Sequence, residues 1–489
     1  MRTHTERERK YELPPDAKLP SLAELATTVG PRDDKLEAFY YDTLNLRLIR
    51  AGITLRKRTG GKDAGWHLKI PKGTDTREEL HFPLGDANTP PDELTALLVG
   101  YTRGVPLVPV ARIVTHRASW QLVDEAGTEL AELTDDDVHA ENLNSSTKDH
   151  WREVEVELAE EADEALLDRA ERALRDAGLR RAEYGSKLAR VLGPTAGRGS
   201  RGHSAGDHLV AYLAGQVEDL LRYDLLARRD TPDAVHRMRV ATRRLRAALR
   251  AYRRLFEPER VDRIRAELKW LGDRLGLYRD LEVMEEDLTE AVARLPEELV
   301  LGPVHARLTR HFSPARADAQ RAVVRTLRTK RYSALLDQLE RLVTSPPLSG
   351  RAGRKASKEL PGHVRRAYRR TARKAAALDG SDERLHDVRK AAKRVRYAAE
   401  VAVPAVGKQA DKTRKHARRV TKVLGDQHDS VVVRPLVREL AGQAHLAGEN
   451  GFTFGLLHEQ ERVRGEAAEA EFAGAWRKLA KKKGRRWLK

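Results

Sequence analysis

The sequence contains no cysteine among its 489 residues. This absence excludes disulfide bonds, thiol nucleophiles and metal sites built on cysteine, such as zinc fingers and iron–sulfur clusters. Aromatic residues make up only 5% of the chain, which argues against a surface on which nucleic-acid bases stack. No apolar run reaches the roughly 18 residues that a membrane-spanning helix needs, and no signal peptide follows Met1. We therefore expect a soluble, cytoplasmic protein without a membrane partner.

Charge is distributed unevenly along the chain. Residues 1–195 contain 28 basic and 36 acidic side chains, a net charge of −8, whereas the remaining residues contain 64 and 38, a net charge of +26. A basic excess of that size favours a polyanionic partner for the second part. The length of the chain predicts about two to four domains. We therefore expect at least two domains with different roles.

The first part of the chain has the pattern of β-strands. Side chains alternate in character over residues 54–58, 66–70 and 151–158, and Gly- and Pro-containing turns lie between such runs. Residues 163–178 have helical periodicity instead. The pattern predicts antiparallel hairpins followed by one helix.

A change in composition marks the boundary between the two parts. Gly, Ser, Pro and Thr dominate the stretch from Gly193 to Gly206, as is typical of a linker. We predict a first domain over residues 1–193, a linker over 194–206 and a second domain over 207–489.

In the predicted strands, charged residues occupy every second position. Glu6, Glu8 and Lys10 share one face of the first strand, and Arg56 and Arg58 repeat the pattern. A single strand of this kind is ordinarily a solvated outer face. Several strands with charges of both signs indicate instead a barrel with a charged interior. Clustered carboxylates there need a cation and clustered arginines need an anion, and Mg²⁺ with a phosphate chain satisfies both.

These strands resemble the CYTH, or triphosphate tunnel metalloenzyme, family over about residues 1–193. The segment Glu6-x-Glu8-x-Lys10 is similar to the ExExK motif of that family. Further matching pieces follow in the family's order: Tyr41-Asp42-Thr43, Leu55-Arg56-Lys57-Arg58, Trp66-x-Leu68-Lys69, Arg77-Glu78, Arg117, Glu132, the strand with Glu153, Glu155 and Glu157, and Ser186-Lys187-Leu188.

The resemblance implies an antiparallel eight-stranded β-barrel tunnel that hydrolyses triphosphates with Mg²⁺ or Mn²⁺ and an activated water. The implied metal ligands are Glu6, Glu8, Glu132 and two of Glu153, Glu155 and Glu157, with Glu155 foremost. The nearby acidic run Asp135-Asp136-Asp137 is an alternative to Glu132. The implied phosphate-binding residues are Lys10, Arg56, Arg58, Lys69, Arg77, Arg117 and Lys187. The candidate catalytic residues are Glu6, Glu8 and the phosphate-binding residues other than Arg77.

Residues 207–489 change to an Ala-, Leu- and Arg-rich helical pattern that contains an internal repeat. The segment Val235–Arg246 recurs as Leu385–Arg396, at an offset of 150 residues, and Leu275–Asp280 recurs as Leu424–Asp429, at an offset of 149. The pattern predicts two duplicated helical bundles.

The two copies cover about residues 207–345 and 355–489. The whole chain is therefore predicted to be a multidomain α+β protein with a barrel followed by an all-α domain.

Each copy has one helix with a basic stripe. At about 100° per residue, the first copy places His236, Arg239, Arg243 and Arg246 on one side and apolar residues on the other. The second copy repeats the stripe with His386, Arg389, Lys393 and Arg396. A solvated basic face is the ordinary interpretation, but such faces usually mix charges of both signs and these do not. The pattern therefore favours an anionic ligand. No carboxylate or second histidine shares the local face of His236 or His386, so a metal role for them is poorly supported.

This second part resembles the CHAD domain, a histidine-containing α-helical domain that often follows a CYTH domain. The resemblance implies two bundles related by a pseudo-twofold axis, with inorganic polyphosphate bound in a basic central channel. The implied polyphosphate-binding residues are those of the two stripes together with Arg265, Lys269, Arg414 and Arg418, which occupy matching positions in the two copies.

The predicted function is a metal-dependent inorganic triphosphatase, converting tripolyphosphate to pyrophosphate and phosphate, with a C-terminal polyphosphate-binding domain. Three alternatives are a non-catalytic polyphosphate-binding protein, a class IV-type adenylate cyclase and a thiamine triphosphatase. Nucleic acid is a weaker alternative partner, since a basic helix does not distinguish duplex DNA from other polyanions by charge alone. The expected location is the cytoplasm, in association with polyphosphate granules. The sequence leaves the oligomeric state and the choice between Mg²⁺ and Mn²⁺ open.

Overall fold

The computed structural model describes residues 2–85, 88–193 and 202–488. The chain forms two compact units, residues 1–199 and residues 200–489. Most of the predicted linker lies outside the described residues. None of the described helices combines the length and the hydrophobicity that crossing a membrane requires.

Strands dominate the first unit. Its elements are β1 (Arg2–Leu13), β2 (Thr27–Asp42), α1 (Arg47–Arg50), β3 (Thr54–Thr59), β4 (Gly65–Pro71), β5 (Thr76–Phe82), α2 (Asp92–Thr102), β6 (Val108–Val123), β7 (Glu129–Asn142), β8 (Thr147–Leu158), α3 (Ala165–Asp176), β9 (Arg180–Arg181) and α4 (Lys187–Leu192).

The described strands form one antiparallel sheet that closes on itself. The order is β5-β4-β3-β2-β6-β7-β8-β1-β9, and β1 also pairs with β5. The first half of β1, to Arg7, pairs with β5, and the second half, from Glu8, pairs with β8. Eight strands therefore make a closed ring, and the two-residue β9 lies outside it. The predicted eight-stranded tunnel is confirmed.

The apolar core of this unit lies outside the ring. Val154, Val156 and Leu158 alternate with the glutamates of β8 and are buried beneath α3, which contributes Leu166 and Leu174 to the same cluster. Since side chains alternate between the two faces of a strand, burying these apolar residues outside turns the charged residues inward.

A second apolar cluster lies at one end of the ring. Trp151 of β8 and Ala140 of β7 pack there against Leu188 of α4. The helix α4 begins at Ser186, whose side chain accepts a hydrogen bond from the backbone N–H of Ala189. This cap places Lys187 at the first helical position, beside the interior of the barrel.

The second unit is helical. Its long helices are α5 (Ala205–Arg228), α6 (Ala234–Ala251), α7 (Pro258–Ala293), α8 (Val304–Leu327), α9 (Lys330–Thr344), α10 (Ala356–Ala376), α11 (Asp382–Val406), α12 (Lys408–Leu446) and α13 (Phe452–Ala480). Short 3₁₀ helices span Arg253–Leu255, Glu297–Leu299, Gly350–Gly353 and Lys482–Leu488. The helix α5 begins two residues before the predicted start of the second domain, capped by Ser204 and Asp207.

The repeat appears as two sets of four helices, α5–α8 and α10–α13. The starts of the two sets pair reciprocally: Ala205 N–H donates to Arg354 O at 2.8 Å, and Ala356 N–H donates to His203 O at 3.0 Å. Such reciprocity is expected of a local twofold relation.

The two copies do not bury their apolar faces separately. One large cluster combines Leu245 of α6 with Val395 of α11, and a second combines Phe312 of α8 with Phe454 of α13. The copies therefore share their cores, and the predicted multidomain α+β class is confirmed.

Candidate functional site

The interior of the barrel holds a cavity of about 410 Å³. Residues from the ring and from α4 line it, and they include twelve of the predicted tunnel residues: Glu6, Glu8, Lys10, Arg56, Arg58, Lys69, Arg77, Arg117, Glu132, Glu155, Glu157 and Lys187. Among the predicted ligands Glu153 is absent from this lining. Alternation along the strands brings eleven of the twelve together, and α4 contributes Lys187.

One side of the lumen is a network of paired charges around Glu155. Arg117 donates two hydrogen bonds of 2.6 Å to Asp136 and one of 2.8 Å to Glu155. Lys187 Nζ lies 2.8 Å from Asp136 and 2.7 Å from Glu155, and Lys10 also binds Glu155. Burial opposes ionisation of Glu155, but Lys10, Lys187 and Arg117 hold its pKa well below the usual range. Glu155 therefore holds three cations in place.

Glu153 belongs to the closed end of the barrel. Trp151 Nε1–H donates to its carboxylate at 2.6 Å, and Lys187 Nζ lies 2.7 Å from it. The contacts with Trp151 and Lys187 hold the Glu153 carboxylate at the closed end, outside the lining of the cavity. Of the three alternating glutamates, Glu155 and Glu157 reach the lumen.

Carboxylates face one another directly on three neighbouring strands. In the strand register Glu8 of β1 lies opposite Glu157 of β8, which lies opposite Glu132 of β7. Like charges at directly opposed positions destabilise a sheet unless a cation lies between them. Lys10 Nζ lies 2.9 Å from Glu8, but within the described residues no lysine or arginine makes a salt bridge with Glu157. Glu8 also lies near Arg77, and Glu132 lies 3.6 Å from Lys62 Nζ, so among the described residues Glu157 is the member of the row that makes no salt bridge.

The pKa of Glu157 reflects the lack of a paired cation. Burial and the neighbouring charge of Glu6 raise its pKa to about 8. His4, Glu6 and Glu157 can each offer one ligand atom, and these atoms lie within 4.8 Å of one another. A hard divalent cation fits this donor set, since Mg²⁺ and Mn²⁺ prefer carboxylate oxygens. The residues present therefore fit the metal that the family resemblance implies.

The remaining predicted phosphate ligands surround this row. Lys69 Nζ lies 2.7 Å from Glu6, and Arg77 Nη1 lies 3.7 Å from Glu8. Arg58 is buried beside Asp63, and burial together with Arg56 lowers its pKa to about 10. The lysines and arginines of the lumen thus lie close to carboxylates. A phosphate ligand could replace these carboxylates as their partners.

Sequence reasoning missed several residues of the lumen. Asp136 was weighed only as an alternative metal ligand, yet it is fully buried and orients Arg117. Glu79 lies 2.5 Å from His67 and 3.8 Å from Lys69. His4 precedes Glu6 by two residues and Glu79 follows Arg77 by two, so alternation carried the signal for both.

In the helical unit, the two basic stripes meet where α6 packs against α11. Arg243 Nε–H donates to Tyr397 OH across the two helices at 2.9 Å. Lys393 is half-buried among arginines of both copies, and burial, then Arg389 and Arg243, lower its pKa to about 7. Like charges gathered in this way favour a bound anion.

The repeated Leu-Gly block of the sequence lies against one arginine of each stripe. A side chain at Gly276 would lie 3.6 Å from Arg239 Nη2, and one at Gly425 would lie 3.2 Å from Arg389 Nη2. The aspartate that ends each block lies near the same guanidinium, with Asp280 2.8 Å from Arg239. The second copy has a looser contact of 3.9 Å. The block therefore positions the arginines.

The two repeated histidines are neutral at neutral pH. Burial and Arg279 lower the pKa of His236 to about 4, and burial and His428 do the same for His386. The ring centroids of His386 and His428 lie 4.1 Å apart. These imidazoles can offer N–H groups to an anion but add no positive charge.

The remaining residues of the predicted polyphosphate-binding set are less closely gathered around the place where the two stripes meet. Arg265, Lys269 and Arg414 each pair with an aspartate on their own helix, whereas Arg418 is exposed. Arg246 remains near Arg243 and Arg265, and the Arg396 guanidinium lies 5.3 Å from the ring centroid of Tyr397.

The two copies differ at one end of the stripe. Arg250 of α6 lies near Arg370 and Arg394. Burial together with Arg250 and Arg370 lowers the pKa of Arg394 to about 10. Glu400 occupies the equivalent position to Arg250 in the second copy and lies 3.2 Å from Arg244. One end therefore keeps its positive charge and the other is neutralised, which sequence reasoning did not foresee.

Asp136 gives a test of the paired network. Asp136→Asn should lower the free energy of unfolding of the barrel by about 3–5 kcal/mol, because it leaves buried Arg117 and Lys187 undercompensated. Hydrogen exchange of β7 peptides in increasing urea measures the change. Glu141→Gln, on the outer face of the same strand, should change it by less than about 0.5 kcal/mol. Equal effects of the two substitutions would contradict the paired network.

Comparison with known proteins agrees with both parts of the chain. The CYTH domain model matches residues 4–192, and the CHAD domain model matches residues 211–438. The chain is 40% identical to an uncharacterized protein of Mycobacterium tuberculosis (strain ATCC 25618 / H37Rv), with 98% of this chain and 97% of that protein covered.

Two solved structures are each similar to part of the chain. PptA from Streptomyces chartreusis shares 24% identity at a TM-score of 0.47, covering 56% of this chain and 99% of that one. The CHAD domain from the plant Ricinus communis shares 24% identity at a TM-score of 0.45, covering 56% and 93%. With a closed ring that carries the ordered motifs, followed along the sequence by a duplicated basic helical unit, this chain belongs to the CYTH–CHAD family, whose CYTH domains are metalloenzymes.

Proposed function

We propose that the barrel is a metal-dependent inorganic triphosphatase and that the helical unit binds polyphosphate. The observation that carries the first proposal is the carboxylate row Glu8, Glu157 and Glu132, which lies beside the cations of the same lumen. The carboxylate row needs a cation, and the lysines and arginines of the lumen can hold an anion. A triphosphate with a bound metal ion supplies both the cation and the anion.

The lining favours an inorganic substrate over a nucleotide or thiamine triphosphate. Among the described lining residues, Leu36, Leu158, Ala159 and Tyr40 are the aliphatic and aromatic contributions, and charged side chains make up most of the rest. A base or a thiazolium ring binds best to apolar or aromatic walls. A chain of phosphates matches the charged lining of the lumen.

The residues have separable roles in this mechanism. Glu6, Glu8, Glu132 and Glu157 would hold the metal, and Glu155 would act mainly by positioning Lys10, Arg117 and Lys187. A bound Mg²⁺ or Mn²⁺ would neutralise charge on the phosphate oxygens as the phosphoanhydride bond breaks.

The fixed cations act on the phosphates directly. Arg117, oriented by Asp136, and Lys187, at the start of α4, can grip phosphate oxygens near the closed end. Lys69 and Arg77 can grip the other phosphates near the carboxylate row. Because these charges are held in place before the substrate arrives, little reorganisation accompanies the reaction. Water is the attacking nucleophile.

The carboxylate row gives the test of the enzyme. Glu6→Gln should lower kcat/KM for tripolyphosphate by about 10²–10³-fold, because it removes charge from the metal-binding wall. Phosphate release by the full chain with Mg²⁺ or Mn²⁺ measures this, and EDTA should abolish it. Glu12→Gln, exposed on the same strand, is the matched control.

Three outcomes of that assay would overturn the proposal. Full turnover in EDTA or in Glu6→Gln would remove the metal from the mechanism. Faster conversion of ATP to cyclic AMP, or preference for thiamine triphosphate, would assign the tunnel to another substrate.

For the helical unit, the convergence of Arg239, Arg243, Arg389 and Lys393 supports polyphosphate binding. The CHAD domain is associated with polyphosphate, and the repeat places one arginine of each copy on either side of the local twofold. A long polyanion can contact both stripes at once. This proposal carries with it the predicted association with polyphosphate granules in the cytoplasm.

Charge reversal tests this binding. Arg239→Glu with Arg389→Glu should weaken long-chain polyphosphate binding at least about tenfold and lower the slope of log affinity against log salt by about two. Arg237→Glu with Arg384→Glu, at exposed positions of the same helices outside the stripe, is the control. Titration calorimetry in EDTA measures both. Equal wild-type affinity for duplex DNA at matched salt would favour nucleic acid instead.

Lys393 predicts a pH dependence. Its lowered pKa leaves it increasingly neutral above pH 7, and a bound polyanion favours the charged form. Affinity for long polyphosphate should therefore fall as the pH rises from 7 to 8.5, by at most about tenfold per unit. Lys393→Arg should flatten the profile because arginine stays charged, and Lys390→Arg, on the exposed side, should not. A flat wild-type profile would contradict this role.

A further inference from the structure

A cluster of imidazoles lies on the outer face of the barrel, away from the lumen. In the register His116 of β6 lies opposite Asp137 of β7, and His139 of β7 lies opposite His150 of β8. All four residues alternate with inward-facing or buried neighbours, so their side chains share the outer surface of three adjacent strands. The mechanism proposed for the lumen uses none of them.

The side chains are already close together. The rings of His139 and His150 are stacked, with centroids 4.3 Å apart and planes at 13°. His150 Nε2 lies 2.6 Å from one carboxylate oxygen of Asp137, and His139 Nε2 lies 3.8 Å from the other. One ligand atom from each of the three residues lies within 4.8 Å of the others. The His116 ring centroid is 6.3 Å from that of His139.

We propose that Asp137, His139 and His150 form a zinc-binding site on the barrel surface, with His116 or water as the fourth ligand. Two imidazole nitrogens and a carboxylate oxygen are a donor set that Zn²⁺ prefers, in tetrahedral geometry with bonds of about 2.0–2.2 Å. Small side-chain rotations bring the three ligand atoms to such distances, since the backbone positions are fixed by direct strand pairing.

The surroundings leave the cluster open to a cation. Arg152 lies opposite Asp137 in the register, but its guanidinium donates to Asp135 at 2.6 Å. Lys35 of β2 lies opposite His116 in the register, so His116 also faces a positively charged residue. Asp137, His139 and His150 are all partly exposed, so an ion from solution can reach them.

This site is chemically distinct from the lumen. The lumen offers mainly carboxylates, which suit Mg²⁺ and Mn²⁺, whereas imidazole favours Zn²⁺, Co²⁺ and Ni²⁺. A zinc ion here would join β7 to β8, the strands that carry much of the carboxylate row on their other face. Binding would therefore stabilise the folded barrel by mass action.

Co²⁺ is a suitable probe because it replaces Zn²⁺ and has visible d–d absorption. Full-length protein stripped with EDTA should bind one Co²⁺ at this site with micromolar affinity, and added Zn²⁺ should displace it. His139→Gln and His150→Gln should each weaken binding at least about tenfold. Glu6→Gln, in the lumen, and His386→Gln, in the helical unit, should leave this spectrum unchanged.

Thermal unfolding gives a second readout. Zn²⁺ should raise the Tm of the wild type and of His386→Gln, but not that of His139→Gln, while all three should unfold alike in EDTA. An unaltered cobalt spectrum in His139→Gln, its loss in Glu6→Gln, or wild-type binding no tighter than millimolar would each overturn the proposal.

Discussion

The need to compensate charge inside a closed ring governs the architecture of the barrel. Eight strands whose inner positions carry charge cannot use the lumen as an apolar core, so the core lies outside, where Val154 and Val156 pack beneath α3. Within the lumen, buried charge is tolerated because it is paired, as with Asp136 and Arg117. Where pairing stops, at Glu157, the protein has a place for a ligand. Stability and the candidate site therefore have one physical origin.

Alternation along strands was sufficient to predict which residues enter the lumen, but not how deep each lies. Glu153, Glu155 and Glu157 share a face in any β-strand, so the pattern could not rank them. Their depth depends on Trp151 and α4, which occupy one end of the ring. Such contacts join distant parts of the chain and leave no local periodicity.

The helical unit likewise has features that the sequence predicts and others that it does not. The repeat and its basic stripes could be predicted because the sequence contains both copies as similar segments. The role of Gly425 could not, since a helical glycine that an arginine approaches closely resembles any other glycine until the partner helix is in place. The neutralised end at Glu400 depends on Arg244 and on Tyr212 from α5, which donates to it at 3.2 Å. Divergence between copies thus changed the electrostatics while preserving the fold.

The divided pairing of β1 has a kinetic consequence. Its first half completes a ladder with β5 and its second half with β8, so β1 is the seam of the ring, and sealing it joins residues about 150 positions apart. Contacts of such sequence separation form late and slowly. Glu6 and Glu157 lie on the two strands that meet at this seam, so a ligand held by both acts as a latch. A bound ligand would therefore favour the closed ring over the opened one and protect the barrel against proteases.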